Sequence, residues 1–164
     1  MIFQHASELA IRATVFLAQQ APGKLSPVHE IAAHTGVSEA YLAKILQKLA
    51  SARLVRSFRG PGKGMELGRA AGTITLASLI LVMEGSKKAD ECVLGLGACS
   101  EETPCVLHDK WIPIHTKIRN LLEKTTLADL AESVITREAG FGARHVRGLR
   151  ASAKAETSRG RKHS

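Results

Sequence analysis

Residues 26–50, SPVHEIAAHTGVSEAYLAKILQKLA, decide the fold. Ser26 and Pro27 read as an N-cap followed by proline at the first helical position, opening a short helix with Val28, Ile31 and Ala32 inward. Thr35-Gly36-Val37 is the turn, and Ser38 caps a second helix. Leu42, Ile45, Leu46 and Leu49 form one apolar stripe on that helix, leaving Glu39, Tyr41, Lys44, Gln47 and Lys48 on its other faces. Two short helices joined by a glycine turn predict a helix-turn-helix, a unit that presents its second helix to the DNA major groove; a generic helical hairpin is the plainer alternative.

Residues 54–67 favour the helix-turn-helix. Residues 54–58, LVRSF, are strand-like, residues 59–64, RGPGKG, form a turn, and residues 65–67, MEL, return as a second strand. This is a wing whose tip carries Arg59 and Lys63 among three glycines, so cations ride on a thin ribbon able to approach phosphates or a minor groove. A nucleotide-binding phosphate loop does not fit, because the GPGKG joins two strands and opens no helix.

Outward from this core, Ala6, Leu9, Ala10, Ala13, Phe16 and Leu17 predict a helix over 7–19, ended by Ala21-Pro22-Gly23. Thr75 caps a helix running through Leu79 and Met83 to Glu84-Gly85. Trp111, Ile114, Ile118, Leu121 and Leu122 predict a long helix, in which Pro113 must occupy the first turn or introduce a kink. A single apolar stripe on so long a helix needs a partner surface. The expected partner is its counterpart in a second subunit, since a twofold dimer matches two major-groove half-sites one turn apart; folding back on its own domain is the alternative. Thr126-Leu127-Ala128-Asp129 resembles a capping box opening a last amphipathic helix.

All three cysteines fall in residues 92–108, CVLGLGACSEETPCVLH. Six residues separate Cys92 from Cys99, five separate Cys99 from Cys105, and His108 follows three positions on. Thiolate and imidazole hold iron-sulfur clusters, zinc or copper. Neither spacing is the tight knuckle of structural zinc sites. Gly95, Gly97 and Pro104 let backbone wrap closely around a bulky inorganic core, so a cluster fits better than a single ion. An odd cysteine count, with no secretory leader in residues 1–20, argues against disulfides and for a reducing cytoplasm. A Cys105/His108 nucleophile pair is a further alternative, but no oxyanion-hole or substrate-pocket signature accompanies it, so no enzyme and no small-molecule substrate are expected.

The chain has 164 residues, 45% of them apolar, enough for one domain of usual size. No run approaches the roughly 18 apolar residues of a membrane span. The net charge of +8 is segregated: residues 24–69 hold eight Lys/Arg against three Asp/Glu, residues 70–136 six against nine, and residues 137–164 eight against two. A basic segment beside an acidic one suggests a polyanion-binding module joined to something with another task. From Arg137 on, the sequence is too poor in large apolar residues to order itself, and reads as a basic disordered tail that either touches phosphates or solubilises the chain.

Together, SELAIRATVFLA at 7–18, IAAHTGVSEAYLAKILQKLASARLVRSFRGPGKGMELGRAAGTITL at 31–76, the cysteine triad and TLADLAE at 126–132 resemble the IscR/NsrR/RirA-type (Rrf family) bacterial winged-helix regulators over about residues 1–135. The family wing usually reads RGxxGGYxL, where this chain has Lys63-Gly64-Met65-Glu66-Leu67. The resemblance implies a homodimer on palindromic promoter duplex DNA, probing cellular state through one iron-sulfur cluster per subunit on Cys92, Cys99 and Cys105. CVLHDKW resembles the branch in which a histidine completes a 2Fe-2S site, which gives that role to His108. In another branch an acidic residue of the first helix, from the other subunit, completes a 4Fe-4S site, and Glu8 stands at that place.

The expectation is therefore a mainly α protein. A winged helix-turn-helix with a two-stranded wing occupies 1–85, its first helix packing on the dimer helix; a cysteine loop occupies 86–108, a long dimerisation helix and a C-terminal helix 109–136, and the tail 137–164. Ser38, Tyr41, Lys44, Lys48, Arg59 and Lys63 are the expected DNA contacts, and the function is a cytoplasmic transcriptional regulator, expected as a repressor, answering to iron-sulfur status, nitric oxide or redox stress. A cluster-free thiol switch and a zinc-stabilised DNA-binding protein are the alternatives.

Overall fold

A computed structural model describes residues 3–60, 62–85, 102 and 104–134. The order is α1 (His5–Ala18), α2 (Val28–Thr35), α3 (Glu39–Ser51), β1 (Val55–Phe58), β2 (Gly64–Leu67), a 3-10 turn (Ala71–Thr73), α4 (Leu76–Glu84) and α5 (His108–Lys124). Two compact units, Met1–Leu130 and Ala131–Ser164, divide the chain; the second is described over 131–134, which are helical.

Helix α1 is central because it touches α2, α3, α4 and β2. Leu9, Ala10 and Ala13 on it are fully buried, and the buried Thr14 satisfies its hydroxyl by donating to the Ala10 carbonyl at 2.8 Å. The predicted turn of the helix-turn-helix is Gly36, whose φ of 74° ends α2 in the left-handed region that favours glycine. Ser38 caps α3 as expected, its Oγ accepting from the Tyr41 N–H at 3.4 Å. The predicted stripe Leu42, Ile45, Leu46 and Leu49 is buried. Each such leucine contributes about 1.5–3 kcal/mol over an exposed one.

The wing is a single antiparallel hairpin in which Val55 faces Leu67, Arg56 faces Glu66, Ser57 faces Met65 and Phe58 faces Gly64. Ser26 differs from its sequence reading. The residue at the N-cap of α2 is Pro27, while Ser26 is buried and exchanges both backbone hydrogen bonds with Met65, at 2.9 and 2.8 Å. The stretch before α2 thus forms a bridge on the free edge of β2, and that pairing outweighs capping. It also explains Gly64, where a Cβ would come within 2.9 Å of the Leu25 Cβ.

Thr75 caps α4 as predicted, accepting from the Ser78 N–H at 3.2 Å. Past α5 the chain returns to the start of α4: Leu76 N–H donates to the Thr125 carbonyl at 3.0 Å and Leu127 N–H to the Ile74 carbonyl at 2.9 Å. The predicted capping box forms, with Asp129 N–H donating to Thr126 Oγ1 at 3.2 Å, and Thr126 N–H and Oγ1 donating to Asp129 Oδ2 at 2.8 and 2.7 Å. Of the two places expected for Pro113, it takes the second, inside the helix. It is the sixth residue of α5, past the first turn, so the Asp109 carbonyl loses its helical donor. Among the described residues no helix is long and apolar enough to cross a membrane.

Gly68 closes the wing where an added Cβ would sit 2.4 Å from the Arg53 carbonyl oxygen, whereas at Gly72 it would meet nothing. Gly68→Ala is expected to lower unfolding free energy by about 2 kcal/mol in urea titrations, and Gly72→Ala by less than about 0.5 kcal/mol. Equal stability of the two variants contradicts this packing.

The Thr126 hydroxyl, and then its backbone N–H, hold the Asp129 carboxyl below its ordinary value. A depressed folded pKa means that the box stabilises above the unfolded pKa and that this contribution is lost as pH falls through the folded one. In carbon-13 NMR titrations Asp129 is expected to titrate below the usual carboxylate range, and Thr126→Val to move it upward. An unmoved titration in that variant contradicts the assignment.

Candidate nucleic-acid interface and cysteine segment

Burying the leucine stripe turns the rest of α3 outward. Ser38, Tyr41, Lys44, Gln47 and Lys48 are all exposed, and the spacing of three and four places Tyr41, Lys44 and Lys48 along one line of the helix. At the wing tip Gly60 and Gly62 adopt φ of 96° and 72°, and Lys63 N–H donates to the Gly60 carbonyl at 3.0 Å. Arg59 and Lys63 flank that turn and are exposed. Cations on α3 and on the wing tip belong to one packed body, because α3 packs against β1.

The wing also carries an ion pair that the sequence reading missed. Arg56 Nη2 lies 2.7 Å from Glu66 Oε1, and its guanidinium carbon lies 5.9 Å from the centre of the Phe58 ring. The signal was available, since a hairpin closed about the RGPGKG turn sets residues 56 and 66 opposite each other. With the guanidinium largely in solvent and the carboxylate largely covered, such a pair near the surface contributes roughly 0–1 kcal/mol of stability and mainly fixes where the cation sits.

Cys92 and Cys99 lie outside the described residues. Cys105 and His108 are half-buried on one turn, joined by a hydrogen bond from the His108 N–H to the Cys105 carbonyl at 3.0 Å. His108 is the first residue of α5. Trp111 stacks on His115 with ring centres 5.7 Å apart, and its indole N–H is shielded from water without a hydrogen-bond partner among the described residues. Glu8 sits half-buried in the first turn of α1, its Oε2 3.7 Å from His5 Nδ1. No cluster of three or more His, Cys, Asp or Glu able to hold a metal occurs among the described residues.

Helix α5 packs against α4, yet none of its seventeen residues is fully buried. Ile114 is 51% exposed and Leu121 63%, and Leu81 on α4 is 53% exposed. Of the predicted stripe, Trp111, Ile118 and Leu122 are half-buried. Among the described elements this is where large apolar side chains remain most open.

A family model described as Rrf2, iron-dependent transcriptional regulator, matches residues 3–133. The chain belongs to the Rrf2 family of transcriptional regulators. Within that family it is similar to the IscR regulator of Vibrio vulnificus, 36% identical over 104 residues, covering 63% of this chain and 61% of that one. The chain thus spans about three-fifths of the length of that relative. Among solved structures it is similar to CymR of B. subtilis, described as a global cysteine regulator, with TM-score 0.69 and 27% identity over 80% of this chain and 96% of that one. It is also similar to T. potens IscR, with TM-score 0.65 and 27% identity over 80% and 86%. The mainly α winged-helix architecture expected from the sequence is that of these Rrf2 structures, and since the Rrf2 family is one of regulators, the nucleophile reading of Cys105 and His108 is set aside.

Proposed function

We propose that this chain acts as a homodimeric DNA-binding transcriptional regulator, a repressor, whose hold on palindromic promoter DNA is governed by an iron-sulfur cluster. The observation that carries this reading is the turn from Cys105 to His108, which places a thiol and an imidazole at the start of the helix with the most open apolar side chains. A change at the ligand turn therefore acts on the element best suited to meet a second subunit. Tyr41, Lys44 and Lys48, with Ser38 at the helix start, enter the major groove or meet its phosphates, while Arg59 and Lys63 reach the backbone or the minor groove.

The described residues fit such a group by donor chemistry. Cys105 and His108 are of the soft and borderline types that bind iron, and the shielded Trp111 N–H one turn on suits a bond to sulfur. Cys92, Cys99, Cys105 and His108 would hold a 2Fe-2S cluster; Glu8 of the other subunit is the alternative fourth ligand, to a 4Fe-4S cluster. When bound, the cluster supplies a centre sensitive to oxidation, nitric oxide and iron supply. The chain's own part is to bind DNA, present the donors and couple the ligand turn to α5 and α4. The two DNA-reading heads of a dimer are then set closer to or further from half-site spacing. A cluster-free thiol switch is the second reading, favoured by the likeness to a cysteine regulator.

Lys44→Ala and Lys48→Ala are each expected to flatten the slope of log K against log salt by about 0.9 in titrations of duplex DNA. An unchanged slope removes that lysine from the interface. For the ligands, His108→Ala is expected to change the visible spectrum of anaerobically purified protein and Glu8→Gln to leave it unchanged. The reverse pattern assigns the fourth position to Glu8, and the absence of iron and sulfide from both variants and wild type favours the thiol switch.

A further inference from the structure

Glu84 is the last residue of α4, and one of its carboxylate oxygens holds the beginning of α1. Oε1 accepts from the Gln4 backbone N–H at 2.8 Å and from the Ser7 hydroxyl at 2.6 Å. Gln4 is the N-cap residue of α1 but makes no side-chain cap of its own, and Ser7 is buried. The carboxylate thus does from a distance of 80 residues what a local cap normally does, and places negative charge where the helix dipole favours it.

Its position in the chain gives the contact a second meaning. Gly85 follows at φ 83°, and the segment bearing Cys92 and Cys99 begins directly after it. Glu84 is therefore the last described tie between the chain and α1 before those cysteines. From its far half, α1 reaches the helix-turn-helix, where the Phe16 ring lies 4.8 Å from that of His34 on α2, and it also packs on α3 and β2. Helix α1, buried along one face, thus runs from Glu84 at the end of α4 to the elements that position α3.

We propose that Glu84 is the positioning residue through which the state of the cysteine segment reaches the DNA-reading helices. This rests on the reading of that segment as the sensor. A movement of the segment displaces the end of α4, the two hydrogen bonds carry the displacement to α1, and α1 turns the helix-turn-helix as a body. Loss of the carboxylate removes both hydrogen bonds, loosens the first turn of α1 and disconnects it from the end of α4.

The test uses full-length wild type, Glu84→Gln, Glu84→Ala and Ser7→Ala, purified anaerobically, with half of each sample stripped of iron by a chelator. Both halves are titrated with a duplex that the wild type has selected from a random-sequence pool, and amide exchange of residues 4–8 is followed in the stripped halves. The wild-type halves are expected to differ in affinity by about tenfold or more, and Glu84→Gln, which keeps an oxygen acceptor, to stay within about threefold of that ratio. Glu84→Ala is expected to bring the two halves within about twofold of each other, with exchange at residues 4–8 about tenfold faster. A merely structural tie would lower the melting temperature and leave the ratio alone, so a folded Glu84→Ala protein with the wild-type ratio overturns the proposal. If Glu84→Ala does not fold, Ser7→Ala decides: a smaller ratio supports the coupling and an unchanged one overturns it. Wild-type halves that bind alike, or a wild type without iron, overturn the sensor reading and this proposal with it.

Discussion

The close packing of α1 against its neighbours is the constraint on which the rest depends. Leu9, Ala10, Ala13, Thr14 and Leu17 are removed from water, and the two alanines leave little side chain between α1 and what it packs on. The one hydroxyl among them is satisfied within its own helix, so burying it leaves no orphaned donor. Because α1 is in contact with α2, α3, α4 and β2, these elements share one core. Close-packed interiors transmit displacement rather than absorb it. A displacement of α1 therefore carries the elements packed on it.

Two kinds of surface meet on that core. The reading head is locked: α3 buries its leucines, β1 lies against it, and the wing is pinned at Ser26–Met65 and at the close approaches of Gly64 and Gly68. Its cations are therefore carried on backbone that is fixed before DNA arrives, which spares ordering cost on binding. Helix α5 is the opposite case. It is tied down through the return at Thr125–Leu127, opens at the Cys105–His108 turn, and keeps Ile114 and Leu121 largely in water. A rigid head and a helix with open apolar side chains are the two parts on which the proposed dimeric regulator rests.

Much of this is legible in the sequence because it is local. The glycine turn at Gly36, the caps at Ser38 and Thr75, the Thr126–Asp129 box and the RGPGKG hairpin each come from residues a few positions apart, and each forms. Ser26 misleads because a serine before a proline is a strong local cap signal, while the competing β-bridge to Met65 comes from 39 residues away. Pro113 lies past the first turn of α5 because the helix begins at His108, upstream of the periodic residues that mark its face. The hold of Glu84 on Gln4 and Ser7 has no sequence signal at all, being a meeting of two helix ends far apart in the chain. Of the candidate ligands, Cys105 and His108 come onto one turn as their spacing suggests. Cys92 and Cys99 lie outside the described residues, so the full donor set rests on the sequence.

The most direct test of the central claim follows one anaerobically isolated sample of the full chain as its iron is removed, measuring bound iron and affinity for the selected duplex together. The account predicts about two irons per chain at the outset if His108 completes a 2Fe-2S site, and an affinity that shifts by about tenfold or more as they leave. Oxygen-protected protein that contains no iron and binds the duplex as tightly as any other preparation would contradict it.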